Sequence, residues 1–363
     1  MTTPKETVWE IEPHTLAKHE ILRRYLGAWF PILSTYNPRI VYIDGFCGPG
    51  RYKGGEAGSP LIALEEARKH GDRLGNKQVT FLFMDERDDR IAHLKAELDG
   101  FRIPDNFHVE ARTGLFAEGL TELLDELDTR GIDLAPTFAF IDPFGFKGVP
   151  FSLVRRLLQN SKTEVLVNIM ADAANRFLEH PDEQTRSHIL ELFGTPDVLR
   201  VAQKGGHRIT ELRLLYQRQL ATYAKFVRFF EMRNYDNRAI YYLFFASNHR
   251  VGHLKMKEAF WKVDPDSGFC FSDATNPDQL VLFEVDETPK LSSDLALRFR
   301  RQRVDVKEVQ TYVEDETPYI ARHMREALKG LESQRAIAVE DRKLDGGKRK
   351  KNTYPEGAVL RFA

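Results

Sequence analysis

The stretch Ile40-Val41-Tyr42-Ile43-Asp44-Gly45-Phe46-Cys47-Gly48-Pro49-Gly50 decides how the chain is read. Its β-branched and aromatic start has the length and composition of a strand buried on both faces. The strand ends at Asp44, and glycines follow at a G-x-x-G-x-G spacing. Glycines placed there let the backbone turn sharply and approach a ligand closely. The acid comes first, so this is not the G-x-G-x-x-G pattern, and no Gly-Lys-Ser/Thr ends the turn as a phosphate loop requires. A carboxylate at this strand end suits a cationic or hydroxyl-bearing ligand. The alternative is a strand-to-helix turn that binds nothing.

A helix precedes this stretch, and further strands alternate with helices after it. Upstream, Ile21, Leu22, Tyr25, Leu26, Trp29, Phe30 and Leu33 repeat at helical spacing. His14, Lys18 and His19 fall on the more polar side of that helix, as a solvated face or as the mouth of a site. Downstream, Ser59 and Pro60 open a second helix. A strand from Val79 to Met84 ends in Asp85, where a carboxylate can take both hydroxyls of a ribose. A third strand starts at Phe107, with Glu110 or Thr113 near its end. A fourth, Thr137–Ile141, runs into Asp142-Pro143-Phe144-Gly145. If strands one and four are neighbours, Asp44 and Asp142 open onto one crevice at the carboxyl ends of a parallel sheet. A fifth strand spans Glu164–Met170. Two more, Phe226–Met232 and Ala239–Ala246, flank an Asn-Tyr-Asp-Asn hairpin signal. The expected fold is a Rossmann-like doubly wound α/β sheet over residues 1–263, a connector over 264–290 with one strand in LVLFEV, and a third region over 291–363.

Bulk numbers narrow the class. The chain has 363 residues, 42% hydrophobic and 29% charged, with a net charge of −1. That is ordinary for a globular protein, and no global field advertises nucleic acid or a membrane. Two cysteines, Cys47 and Cys270, leave no disulfide framework or cysteine-based metal cluster. No apolar run approaches a membrane span and the first residues lack a signal-peptide core, so the expected location is cytoplasmic. Charge is uneven, however. Leu291–Ala363 carries 16 Lys/Arg against 12 Asp/Glu, whereas the rest carries 37 against 42. Helical patterns there end in two short strands around a Gly-Gly loop rich in Arg342, Lys343, Lys348, Arg349, Lys350 and Lys351. That arrangement resembles a winged helix-turn-helix domain whose basic wing contacts the phosphates of DNA or RNA. A protein-interaction wing is the alternative.

Several motifs resemble known families. IVYIDGFCGPG resembles motif I of S-adenosylmethionine-dependent methyltransferases, and the Asp-Pro-aromatic run resembles motif IV of those acting on exocyclic amines, with one residue of the four-residue pattern missing. Trp9 and the KHEILRRYL helix, YIDGFCGPGRY with GSPLIAL, FIDPFGF, YYLFFASNHRVGHLKMKEAFW and the winged tail together resemble the three-Cys-motif partner protein family. The resemblance implies a class I methyltransferase-type domain with a C-terminal winged helix, and a partner bearing a radical-SAM-like three-cysteine motif. Through it, Asp44, Gly45, Phe46, Gly48 and Gly50 are expected to hold S-adenosyl-L-methionine, and Asp85 its ribose. Asp142, Pro143 and Phe144 are expected to orient the methyl acceptor, with nucleic acid as a candidate. Cys47 lies inside the cofactor loop and is expected to be a packing residue rather than a nucleophile. A non-catalytic nucleic-acid-binding or scaffold protein on the same fold is the alternative.

Overall fold

Three aromatic residues in one row of the sheet, Phe81, Tyr42 and Phe138, are fully buried and stand opposite one another across three strands. The computed structural model describes residues 4–202, 205–274, 288–340 and 349–363. Helix α1 (Pro13–Tyr36) leads into β1 (Arg39–Asp44), followed by α2 (Ser59–Lys69), α3 (Gly71–Leu74), β2 (Gln78–Asp85) and α4 (Asp88–Asp99). Then come β3 (Phe107–Thr113), α5 (Phe116–Thr129), β4 (Thr137–Ile141), α6 (Phe151–Gln159) and β5 (Thr163–Ile169). Helices α7 (Ala171–Phe177), α8 (Glu183–Phe193), α9 (Asp197–Val201) and α10 (Arg208–Ala221) precede the hairpin β6 (Phe226–Arg233) and β7 (Ala239–Ser247). Helix α11 (Arg250–Val263) and β8 (Cys270–Ser272) follow.

The sheet order is β3-β2-β1-β4-β5-β7-β6-β8. Strands β1 to β5 pair in parallel, and β7 runs antiparallel to both β5 and β6. This is a doubly wound sheet of the class I methyltransferase type. An eighth strand was not expected. It comes from the region read as a connector, and three residues, Cys-Phe-Ser, are too few to give a periodic signal. It pairs in parallel with β6. The apolar run LVLFEV lies outside the described residues.

Helix α1 buries its apolar stripe on the aromatic row. The ring of Tyr25 lies 5.0 Å from Phe138, and Phe30 lies 5.9 Å from Phe81. At the amino end of the sheet a carboxylate pins this packing. Glu164 of β5 is buried and accepts hydrogen bonds from Tyr25 Oη (2.6 Å) and from Ser247 Oγ (2.6 Å). Burial raises its pKa.

The chain divides into two compact units. One runs to Ala259 and includes a segment beginning at Cys270; the other takes Phe260–Phe269 and the remainder through Ala363. The second unit contains α12 (Thr288–Arg298), β9 (Arg303–Asp305), α13 (Val306–Glu316), α14 (Ala321–Ser333), β10 (Ile337–Val339) and β11 (Val359–Phe362). Its sheet is antiparallel in the order β10-β11-β9, and Leu291, Leu295, Val309, Val313, Leu328 and Leu360 fill its core. Helices, turn and strands make it a winged helix. The third strand, β9, has only three residues and was not expected.

The pinned carboxylate generates a prediction. A Cβ on Gly252 would lie 1.9 Å from Glu164 Oε1 and 3.0 Å from Tyr25 Oη, neither of which is free to move. Gly252→Ala is expected to cost about 1–3 kcal/mol in denaturant unfolding. Gly71→Ala, where a Cβ meets nothing within 4 Å, is the control and is expected not to destabilise.

Candidate functional site

Strands β1 and β4 are neighbours, so Asp44 and Asp142 do reach the same edge of the sheet. The glycine loop is hung between flanking strand ends. Gly45 N donates to Phe140 O (3.0 Å) and Cys47 N to Met84 O (2.9 Å). Two glycines are required by geometry: Gly48 has φ 62° and Gly50 has φ 84°, and a Cβ on Gly50 would meet Leu94 Cδ1 at 2.7 Å. Phe46 packs its ring on Phe116, 5.4 Å away. Cys47 is buried, burial pushes its thiol pKa upward, and its Sγ–H reaches only Gly48 O. A protonated, buried thiol is a poor nucleophile, as expected of a packing residue.

Asp44 is fully buried. Its Oδ1 accepts from Phe46 N (3.3 Å), and its Oδ2 has no hydrogen-bond partner. The Ser59 side chain and the Phe46 N–H favour the ionised form. Burial pushes the carboxyl up to about 7, and the charges of Asp142 and Asp85 add to the rise. Asp85, at the end of β2, is also buried, but it is already engaged. Gly48 N (3.1 Å) and Arg87 N (3.0 Å) donate to it, and Arg90 Nη1 lies 3.5 Å away. Glu110 and Thr113 sit toward the end of β3, and Glu110 is half-exposed and paired with Arg112.

Asp142 meets residues that the sequence reading had not assigned to it. Lys18 Nζ donates to Oδ2, and Asn168 Nδ2 donates to Oδ1 at 2.7 Å. Lys18 is 5% exposed and His14 3%, so the polar side of α1 is no solvated face. His14 Nδ1 hydrogen-bonds Asp273 Oδ2 (2.8 Å). Burial pushes the His19 imidazole down to about 3, with the Lys18 charge adding to the fall. Lys18, Asp142, Pro143, Phe144 and Asn168 line a cavity of about 270 Å³, together with Trp9, Tyr52 and Tyr241. That is slightly under the ~300–1,000 Å³ usual for small-molecule sites. Trp9 and Arg90 carry too little local signal to be chosen from sequence; Lys18 and His14, read as a solvated face or as the mouth of a site, both line the cavity.

In the winged unit, Arg342, Lys343 and Lys348 lie outside the described residues. Lys350 and Lys351 are exposed. Arg349 differs from its expected role: its side chain is 5% exposed and ion-paired with Glu332, which also accepts from Tyr354 Oη at 2.7 Å. It ties the segment before β11 to α14 rather than facing phosphates. Arg322 and Arg325, near the start of α14, are exposed. In a helix-turn-helix that is the part of the second helix that reads bases. The sequence reading had looked only to the wing.

Comparison with known proteins identifies the C-terminal part of the chain. Residues 270–343 match the family described as the GMT-like wHTH domain. No curated protein matches the chain by sequence. Among solved structures, a DUF519-family protein of Legionella pneumophila is similar at 13% identity and TM-score 0.36, over 65% of this chain and 85% of that one. Human methyltransferase-like protein 13, in complex with SAH, is similar at 10% identity and TM-score 0.34, over 74% of this chain and 97% of that one. The plantazolicin methyltransferase BpumL, in complex with SAH, is similar at 9% identity and TM-score 0.28, over 65% and 86%. The winged helix is thus matched by a family model, and the doubly wound sheet stands on its own strand order. No helix among the described residues is long and apolar enough to cross a membrane.

Two stability predictions follow from the acids. The folded state keeps the Asp44 proton that the unfolded chain releases near 3.8. Wild-type stability should therefore fall as pH rises from about 4 to 7, and level off above. Asp44→Asn escapes that loss, so its melting temperature should exceed the wild type's at pH 8 and approach it at pH 4. Lys18→Met should cost about 3–5 kcal/mol at pH 7 by stranding the Asp142 charge, and adding Asp142→Asn should recover most of it. Urea unfolding of the single and double variants checks this.

Proposed function

We propose that the chain is an S-adenosylmethionine-dependent methyltransferase that works with a partner bearing a radical-SAM-like three-cysteine motif, with nucleic acid as its acceptor. The observation that carries this reading is Asp44: a buried carboxylate with one unpartnered oxygen, beside a loop in which Gly48 and Gly50 adopt left-handed conformations. Such an oxygen suits the ammonium group of a methionine moiety. When bound, S-adenosylmethionine supplies an electrophilic methyl group on a sulfonium.

The chain's residues have the remaining work of binding and positioning. Asp44 would hold the ammonium group, with Gly45, Phe46, Gly48 and Gly50 against the cofactor. Asp85 would take the ribose hydroxyls once Arg90 withdraws from it. Lys18 and Asn168 hold the Asp142 carboxylate in one orientation, and each of its oxygens keeps a lone pair for an acceptor proton. Phe144, 38% exposed, offers a ring for a planar acceptor. In the winged unit Arg322 and Arg325 would approach bases while Lys350 and Lys351 meet phosphates. A non-catalytic nucleic-acid-binding or scaffold role draws on a different observation: both Asp142 oxygens and both Asp85 oxygens are already engaged within the chain.

Calorimetric titration with S-adenosylmethionine tests the cofactor role. Asp44→Ala is expected to weaken binding at least tenfold. Near pH 7 the wild type should release protons as a bound cation ionises Asp44, which buffers of different ionisation enthalpy reveal. Equal affinity of the two proteins would remove Asp44 from the site. For nucleic acid, replacing both Lys350 and Lys351 by Ala should lower the slope of log affinity against log salt by about 1.8 on duplex DNA. An unchanged slope would exclude Lys350 and Lys351 from phosphate contact.

A further inference from the structure

We infer that residues 4–12 form an intramolecular strap occupying the nucleoside half of the cofactor crevice, so that cofactor binding requires Trp9 to leave; this rests on the cofactor reading above. The strap has no regular secondary structure before α1 and is held by side-chain donors. Arg87 Nη1 donates to Pro4 O (2.9 Å) and Lys5 O (2.9 Å), and Arg90 Nη2 to Pro4 O (3.0 Å). Thr7 Oγ1 donates to Asp89. Lys53 N, just past the glycine loop, donates to Trp9 O (3.0 Å).

These bonds set the Trp9 ring over the glycine loop. A Cβ on Gly48 would meet the ring at 3.6 Å. The ring stands edge-on to Tyr52 (5.5 Å) and to Phe144 (5.7 Å), and the Arg90 guanidinium lies 4.8 Å from it. A flat aromatic over the glycine loop fills space that the cofactor's nucleoside would need. Arg90 links this plug to the ribose acid, because the same guanidinium touches Pro4, Trp9 and Asp85. With the strap down, Arg90 sits on the carboxylate that the ribose hydroxyls need. Displacing Trp9 removes the packing that holds Arg90 there. The strap also accounts for the small cavity, which Pro4, Trp9, Glu10 and Glu12 wall on one side.

Binding to a form populated only in part weakens apparent affinity by that fraction. Variants that loosen the strap should therefore bind more tightly. The test titrates S-adenosylhomocysteine into three full-length proteins: wild type, Trp9→Ala, which removes the plug, and Arg87→Gln, which cuts the latch away from the crevice. Both variants are expected to bind at least tenfold more tightly. Hydrogen exchange at residues 5–11 of the wild type is expected to accelerate on ligand addition. Equal or weaker binding by both variants, or slower exchange, would overturn the strap and make Trp9 part of the ligand's own wall. If none of the three folded proteins binds at millimolar ligand, the cofactor reading itself fails, and the strap with it.

Discussion

The parallel pairing of β1 with β4 is the constraint on which the rest depends. It places two acids from opposite halves of a doubly wound sheet at one edge, where helix crossovers leave a crevice. Three carboxylates converge there, and each has a different neighbourhood. Asp85 takes backbone donors and an arginine, and Asp142 takes a lysine and an amide. Asp44 takes one backbone donor and lifts its pKa instead. Like charges in a dry crevice cannot all remain ionised without partners. The least supported one is where a cationic ligand gains most.

Much of this was legible in the chain. Strands β1 and β4 are short, continuously apolar and stopped by acid-glycine or acid-proline pairs, so local chemistry alone marks their ends. The succession of strands along the chain and the hairpin before α11 could be read the same way; that β1 and β4 are neighbours entered only as a condition. What escaped were features decided by tertiary packing. Lys18 and His14 look like ordinary polar helix residues until α1 docks. Trp9 and Arg90 meet only because an irregular segment crosses over α4. Strands β8 and β9 have three residues each, too few for any period to register. Arg349 was chosen by charge, yet an acid on another element, Glu332, claims it. Charge counts see composition, not partners.

The winged unit obeys the same lesson from the other direction. Its core is conventional, and its exposed cations include Arg322 and Arg325 at the start of α14 and Lys350 and Lys351 before β11. Burial tends to raise the Glu332 pKa, but hydrogen bonds from Arg349 and Tyr354 bring it below the ordinary value. This ion pair anchors Arg349 to α14. It leaves the neighbouring lysines exposed without asking them to hold the fold.

Helix α1 is fastened to the sheet at two places, Lys18 to Asp142 at one end of the strands and Tyr25 to Glu164 at the other. Seven residues separate the fasteners, nearly two turns and about 10.5 Å of rise, so both point the same way. The helix therefore acts as a ruler laid across the sheet. Inserting or removing one residue between them would swing one fastener by about 100° and strand a buried carboxylate. Lineages of this protein can change the letters of that interval far more freely than its length.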